Sequence, residues 1–349
     1  MKLKRLWLVW LAMMVGISAC SMVTAVPLTS PPTAVRTTRP AADSLPMAAI
    51  ATALPAVPTE WLTDTPLPEP SPTPVIAVVE TAVSRPSATN LPPTVPLPTP
   101  TFAAYGITQT VGFSAQGRPI VNYRFGYGTQ QVVLVGGVHG GYEWNTIVLA
   151  YQVIDYFMQN PQQIPANVTL HIIPSANPDG QYFVTNTAGR FTAADLQADI
   201  TLGRFNGNQV DLNRNWDCNW VPVGIWGEQE VSGGERPFSE LETQALRRFF
   251  LGQQVDAVIF YHSKADGVYA GGCLGTHAPS LELAALYGEA AGYPVYEQFD
   301  HYEVTGDASD WLTLQEIPSF TVELRTRSGL DWPDNLAGIL AMLNYYANR

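Results

Sequence analysis

Charge is scarce in this 349-residue chain: 14% of its residues are charged, against about 25% in ordinary soluble domains. Basic residues are scarcest, with 18 Lys and Arg against 30 Asp and Glu and a formal net charge of −12. Glycine is missing altogether from residues 21–103, and 27 of the 28 glycines lie beyond residue 103. That same stretch holds 18 of the 29 prolines. One globule built from all 349 residues is therefore excluded. Residues 1–103 carry six basic and five acidic residues, leaving 12 against 25 in the remainder, a charge of −13. An acidic surface repels phosphate backbones, which argues against a nucleic-acid partner.

No apolar run at the start is long enough to span a bilayer comfortably, since a spanning helix needs about 20 apolar residues. Lys2, Lys4 and Arg5 precede an apolar stretch from Leu6 to Ser18, the pattern of a secretory signal over residues 1–20. It ends in Ile17-Ser18-Ala19-Cys20, which resembles the bacterial lipobox, where the Cys becomes an acylated N-terminus. The expectation is an exported chain, lipid-anchored through Cys20 on the outer face of a bacterial membrane. An uncleaved N-terminal anchor is the rival, and both place the rest outside the cytoplasm. Residues 21–103 are rich in Pro, Thr, Ala and Ser and poor in large apolar side chains. Such a segment cannot offset the entropy cost of folding and reads as a disordered, semi-rigid spacer.

From residue 104 the texture changes. Short β-branched runs end in small or polar residues: "QVVLVGG" (131–137), "NVTLHIIPSA" (167–176), "VDAVIFYHS" (255–263) and "SFTVELR" (319–325). Helix-like stretches alternate with them at 145–160, 239–252, 280–292 and 335–349. That alternation predicts one α/β domain over 104–349 with a largely parallel sheet, long enough for a substantial core. Ligands in such sheets collect at the carboxyl ends of the strands.

All five histidines fall in this domain. His139 and Glu143 follow the first core strand in "GGVHGGYEWNT", and His262 closes a later strand in "FYHSKADG". Two His and one carboxylate, with a fourth position left to water, form the ligand set of a hydrolytic zinc site. His171, inside a strand run, and His277, in a loop, fit structural roles instead.

Further segments follow in order: "NPDG" (177–180), "GRFNGNQVDLNRNWD" (203–217), "GGERPFSELET" (233–243), "HYEVTGDASDW" (301–311) and "FTVELR" (320–325). Together with the histidine segments they resemble the zinc metallocarboxypeptidases of the carboxypeptidase A/B type, in their bacterial exported branch. The resemblance covers nearly all of residues 105–349 and none of the leader. It implies a three-layer α/β/α fold around a mixed, largely parallel eight-stranded sheet, with one Zn2+ per chain.

What the resemblance implies goes further, residue by residue. His139, Glu143 and His262 match the zinc ligands, although the family spaces its His and Glu by two residues and this chain by three. The adjacent glycines Gly140 and Gly141 can take positive φ and absorb the extra residue as a bulge. Glu323 matches the general base; the rival role for a strand-end Glu is a pair with Arg325. Arg204, seven residues before Asp211, matches the Arg that stabilises the oxyanion, whereas Arg190 is wrongly spaced. Asn213 and Arg214 match the grip on the substrate's terminal carboxylate, and Tyr302 the mobile Tyr that closes over it. In the specificity loop Asp307 is expected to face a basic group on the substrate, with Asp310 structural. Cys218 and Cys273, left over once Cys20 is lipidated, are expected to form a disulfide in an oxidising setting.

The resulting expectation is a zinc carboxypeptidase acting on the C-terminal residues of peptides. Its rivals are a peptidoglycan stem-peptide hydrolase of the same fold and a binding module that has lost hydrolysis. A deacylase of small amides would not need the carboxylate grip.

Overall fold

The structure, a computed structural model, describes residues 107–349. The export signal, Cys20, the Pro-rich stretch and the expected boundary at 104 lie outside the described residues.

The chain runs β1 (Ile107–Phe113), β2 (Pro119–Gly126), β3 (Gln130–Val135), α1 (Trp144–Gln159), β4 (Val168–Ile173), α2 (Pro178–Thr185), β5 (Val223–Trp226) and β6 (Gln229–Ser232). It continues through α3 (Leu241–Gln253), β7 (Ala257–Ser263), β8 (Gly267–Ala270), α4 (Ala278–Ala291), β9 (Val295–Tyr296), α5 (Ala308–Thr313), β10 (Ser319–Leu324) and α6 (Trp332–Ala347). Eight strands form one sheet in the order β1-β2-β4-β3-β7-β10-β8-β9, and β5 pairs with β6 in a separate ribbon. The central strands β4, β3, β7 and β10 are mutually parallel, while β1–β2, β2–β4 and β8–β10 are antiparallel. The sheet is thus mixed, and parallel where it is most buried.

Period-two alternation explains the layering. On β3, Val132 and Leu134 join one apolar cluster with α1, α4 and α6, whereas Val133 and Val135 join the other with α3 and α5. The first layer receives Leu149, Val153, Ile154 and Phe157 from α1 and Ile339, Met342 and Leu343 from α6. The second receives Leu246, Phe249 and Phe250 from α3 and Trp311 and Leu312 from α5. Strands covered on both faces read as continuous apolar runs, which is why these four stand out in the sequence.

His171 sits inside this frame on β4, 1% exposed. Its ring nitrogens meet the Asn122 amide at 2.9 Å and the Gln131 side-chain oxygen at 2.9 Å, and Phe249 packs edge-on. Burial, helped by Arg124, pushes its pKa down to about 4 from the ordinary 6.5. The unfolded chain therefore binds a proton that the folded one refuses between those values, so stability falls as pH drops through this window. The loss amounts to on the order of 3 kcal/mol by pH 4. Thermal melts from pH 7 to 4 check it: His171→Leu lowers the melting temperature at neutral pH and shows a shallower acid decline than wild type. Parallel declines would contradict the assignment.

Candidate active site

The parallel strands deliver the chemistry to one end of the sheet. β3 stops at Val135 and the chain turns through His139 into a short 3-10 turn, Gly140–Glu143, that leads directly into α1. β7 ends with His262 and Ser263, and β10 runs beside it in a register that sets Glu323 opposite His262. Asn145, at the start of α1, locks these ends together: its side chain accepts from Ser263 Oγ and donates to the carbonyls of Thr326 and Gly329.

His139, Glu143 and His262 are all buried, and their donor atoms lie within 4.8 Å of one another. The Nδ1 atoms of His139 and His262 approach the two Glu143 oxygens at 3.0 and 2.9 Å. Burial pushes the Glu143 carboxyl up, but the two histidines outweigh it and hold it well below the usual carboxylate range. The extra residue in this segment is taken up at Gly140, whose φ is +44°. A side chain there would also collide with the backbone of Gly203 and Gly180. The three donors converge on one buried point, where the two imidazole Nδ1 atoms lie only 3.1 Å apart. The trio fits a metal ion.

Asp211 stands behind it, fully buried. One oxygen lies 3.2 Å from His139 Nε2, and the other accepts from Arg204 Nε at 2.9 Å with NH2 at 2.7 Å. Burial pushes Asp211 up, yet the Arg204 and His139 charges hold it well below the carboxylate range. A carboxylate behind a metal-binding imidazole fixes the ring's orientation. Arg204 is placed from the other side by α2, where Asn177 caps the helix through Gly180 N and donates to the Arg204 carbonyl. Its guanidinium lies over Trp226, at 4.4 Å from the ring centroid, and NH1 is 4.0 Å from Glu143. Arg190, by contrast, is exposed and paired with Asp155.

Asn213 and Arg214 follow on the same turn, started by the Asp211 side chain accepting from Asn213 N. Arg214 is 1% exposed, and all its hydrogen bonds go to neutral carbonyls: Ile225 at 3.1 and 2.8 Å and Asn213 at 2.7 Å. Among the described residues no carboxylate lies within ion-pair distance of it. The Tyr302 ring stands 6.0 Å from its guanidinium carbon, against Phe299.

Asp307 carries structural bonds that the sequence did not show. It lines the cavity, but both oxygens are taken: Oδ1 accepts from Ser309 N, Ser309 Oγ and Asp310 N, and Oδ2 from Asn213 Nδ2 at 2.7 Å. Asp307 is the N-cap of α5 and holds Asn213 in place. Asp310 also lines the cavity and accepts from Gly272 N; burial first, then Asp307, pushes it up to about 7.

Glu323 is a partly buried position on β10, and its carboxyl accepts from Ala265 N at 3.0 Å. Burial, followed by the Glu143 charge, pushes it up to about 7. The alternative pair with Arg325 does not form; that Arg bonds Asp334 at 2.6 Å. His139, Glu143, His262, Arg204, Asn213, Arg214, Tyr302 and Glu323 line a cavity of about 630 Å³, the size of small-ligand sites. The Cys218–Cys273 disulfide, Cα to Cα 5.8 Å, ties the loop after Arg214 to the loop after β8 at its wall.

The zinc carboxypeptidase family model matches residues 106–335. The chain belongs to the zinc carboxypeptidase family. It is 28% identical over 247 residues to a zinc carboxypeptidase of Simulium vittatum, covering 62% of this chain and 78% of that one. It is 23% identical over 239 residues to gamma-D-glutamyl-L-diamino acid endopeptidase 1 of Lysinibacillus sphaericus, spanning 61% of this chain and 59% of that relative. The fold is that of carboxypeptidase A from Helicoverpa armigera, with a TM-score of 0.56 at 20% identity over 71% of this chain and 70% of that one.

Within this family member, the structure adds groups that sequence reasoning left without a role. Asp211 was visible as part of "VDLNRNW", and its service to both His139 and Arg204 follows from that turn. Trp226 and the Ile225 carbonyl come from β5, where nothing in the sequence ties them to the two arginines. Arg327, beyond the "VELR" strand, also lines the cavity.

Proposed function

We propose that this protein is a zinc-dependent carboxypeptidase that removes C-terminal residues from peptides. The observation that carries the reading is Arg214, a buried cation bonded only to neutral carbonyls at the wall of the cavity. A buried charge without a counter-ion is costly, and a peptide's terminal carboxylate supplies one through the bidentate geometry that Arg favours. Asn213 offers its amide beside it, steadied by Asp307. Tyr302 closes over the bound end.

His139, Glu143 and His262 would hold the zinc ion, which when bound polarises the scissile carbonyl and the attacking water. Glu323 takes the proton from that water and returns it to the leaving amine, and a pKa near neutrality suits both halves of the task. Arg204 faces the oxygen on which negative charge develops; it is held rigid by Asp211, so no reorganisation is needed at the moment of reaction. A second reading, cleavage next to a diamino acid in peptidoglycan stem peptides, draws on the similarity to the Lysinibacillus endopeptidase. For location, the Ile17-Ser18-Ala19-Cys20 pattern supports an exported enzyme lipid-anchored at Cys20. Incorporation of labelled fatty acid, abolished in Cys20→Ala, checks that.

Glu323→Gln lowers kcat on N-blocked dipeptides by about 10²–10⁴-fold with zinc content unchanged. In wild type, Glu323 must be ionised to act, so kcat/KM falls as pH drops through about 7. A cation beside the carboxylate moves that limb to lower pH. A variant that keeps full activity, or a wild-type rate that rises on acidification, would remove Glu323 from the role.

A further inference from the structure

Arg327 is a cation of the cavity that the reaction above leaves unused. Its NH1 is buried with no hydrogen-bond partner, and the nearest carboxylate oxygen, on Glu143, is 3.8 Å away, too far for a hydrogen bond. The guanidinium is stacked on the Tyr142 ring at 3.9 Å from its centroid, a contact that fixes the plane of an Arg without satisfying its N–H groups. Its loop is anchored on both sides, since Asn145 binds the carbonyls of Thr326 and Gly329. Arg327 is therefore held rigid, with an unsatisfied donor at the wall of the cavity.

Its position gives the side of the substrate it meets. Arg327 contacts Tyr142 and Glu143, whereas the carboxylate grip is built from Asn213, Arg214, Asp307 and Tyr302. A peptide whose terminal carboxylate lies on that grip and whose scissile bond lies over His139, Glu143 and His262 extends its acyl part towards Tyr142. We propose that Arg327 is an anion subsite for the acyl side. It takes a carboxylate carried by the residue before the scissile bond, and so selects acidic penultimate residues. This rests on the carboxypeptidase reading. The carboxylate has two sources: the side chain of an ordinary α-linked Glu, or the free α-carboxylate of a γ-linked glutamyl unit.

The test compares N-acyl-Glu-X with N-acyl-Gln-X, and γ-glutamyl-X with its α-amide, all with the same C-terminal X. Wild type favours the carboxylate member of at least one pair by about ten- to a hundredfold in kcat/KM, and the pair that responds names the source. Arg327→Gln brings the ratio to about one, Arg327→Lys keeps part of it, and Arg327→Glu turns the preference towards a penultimate Lys. Calorimetric Kd values for the same peptides, measured in Glu323→Gln protein with and without Arg327→Gln, read the ratio without turnover. Hydrolysis with wild-type ratios near one, or ratios that survive Arg327→Gln, would overturn the proposal. Absence of any hydrolysis would instead overturn the carboxypeptidase reading, and the binding ratios would still decide Arg327.

Discussion

The site hangs on one buried carboxylate. Asp211 touches His139, binds Arg204 through Nε and NH2, and starts the turn that presents Asn213 and Arg214. In the proposed function, ligand orientation, oxyanion stabilisation and substrate grip would thus share a single anchor. Breaking a buried network of this kind costs about 3–5 kcal/mol, because a charge is left without its partner. Asp211 is affordable only because two positive or polarised groups face it in a space closed to water. The sheet contributes the other constraint, the β7–β10 register that holds Glu323 opposite His262.

Cations and carboxylates share the cavity wall. The folded part is acidic overall, yet Arg204, Arg214 and Arg327 all line one cavity. Each is treated differently: Arg204 is neutralised by Asp211, Arg214 is bonded to carbonyls alone, and Arg327 is stacked on an aromatic ring. In the proposed function the first answers charge that appears during reaction. The other two would meet charge that the substrate brings with it.

Much of this was legible in the sequence because burial on both faces leaves an unmistakable mark. The central strands are mostly apolar, and the polar residues at or just beyond their carboxyl ends, His139, His262 and Glu323, converge at the site. The three-residue gap before Glu143 looked irregular, and the structure resolves it with a 3-10 turn and a positive φ at Gly140. The capping role of Asp307 was not visible because capping depends on where a helix begins, and α5 begins one residue after it. Arg327 carried no signal at all: it lies in a loop without periodicity, and only the fold brings it over Tyr142.

The central claim is that Glu143, despite its spacing, completes a metal site with His139 and His262. Anomalous diffraction at the zinc edge from crystals of wild type and Glu143→Ala tests it most directly. The account predicts one strong peak in wild type, bounded by the Nδ1 atoms of both histidines and by the Glu143 carboxylate, and its loss or severe weakening in the variant. A zinc peak of full height that persists in Glu143→Ala, or one bound away from these three residues, would contradict it.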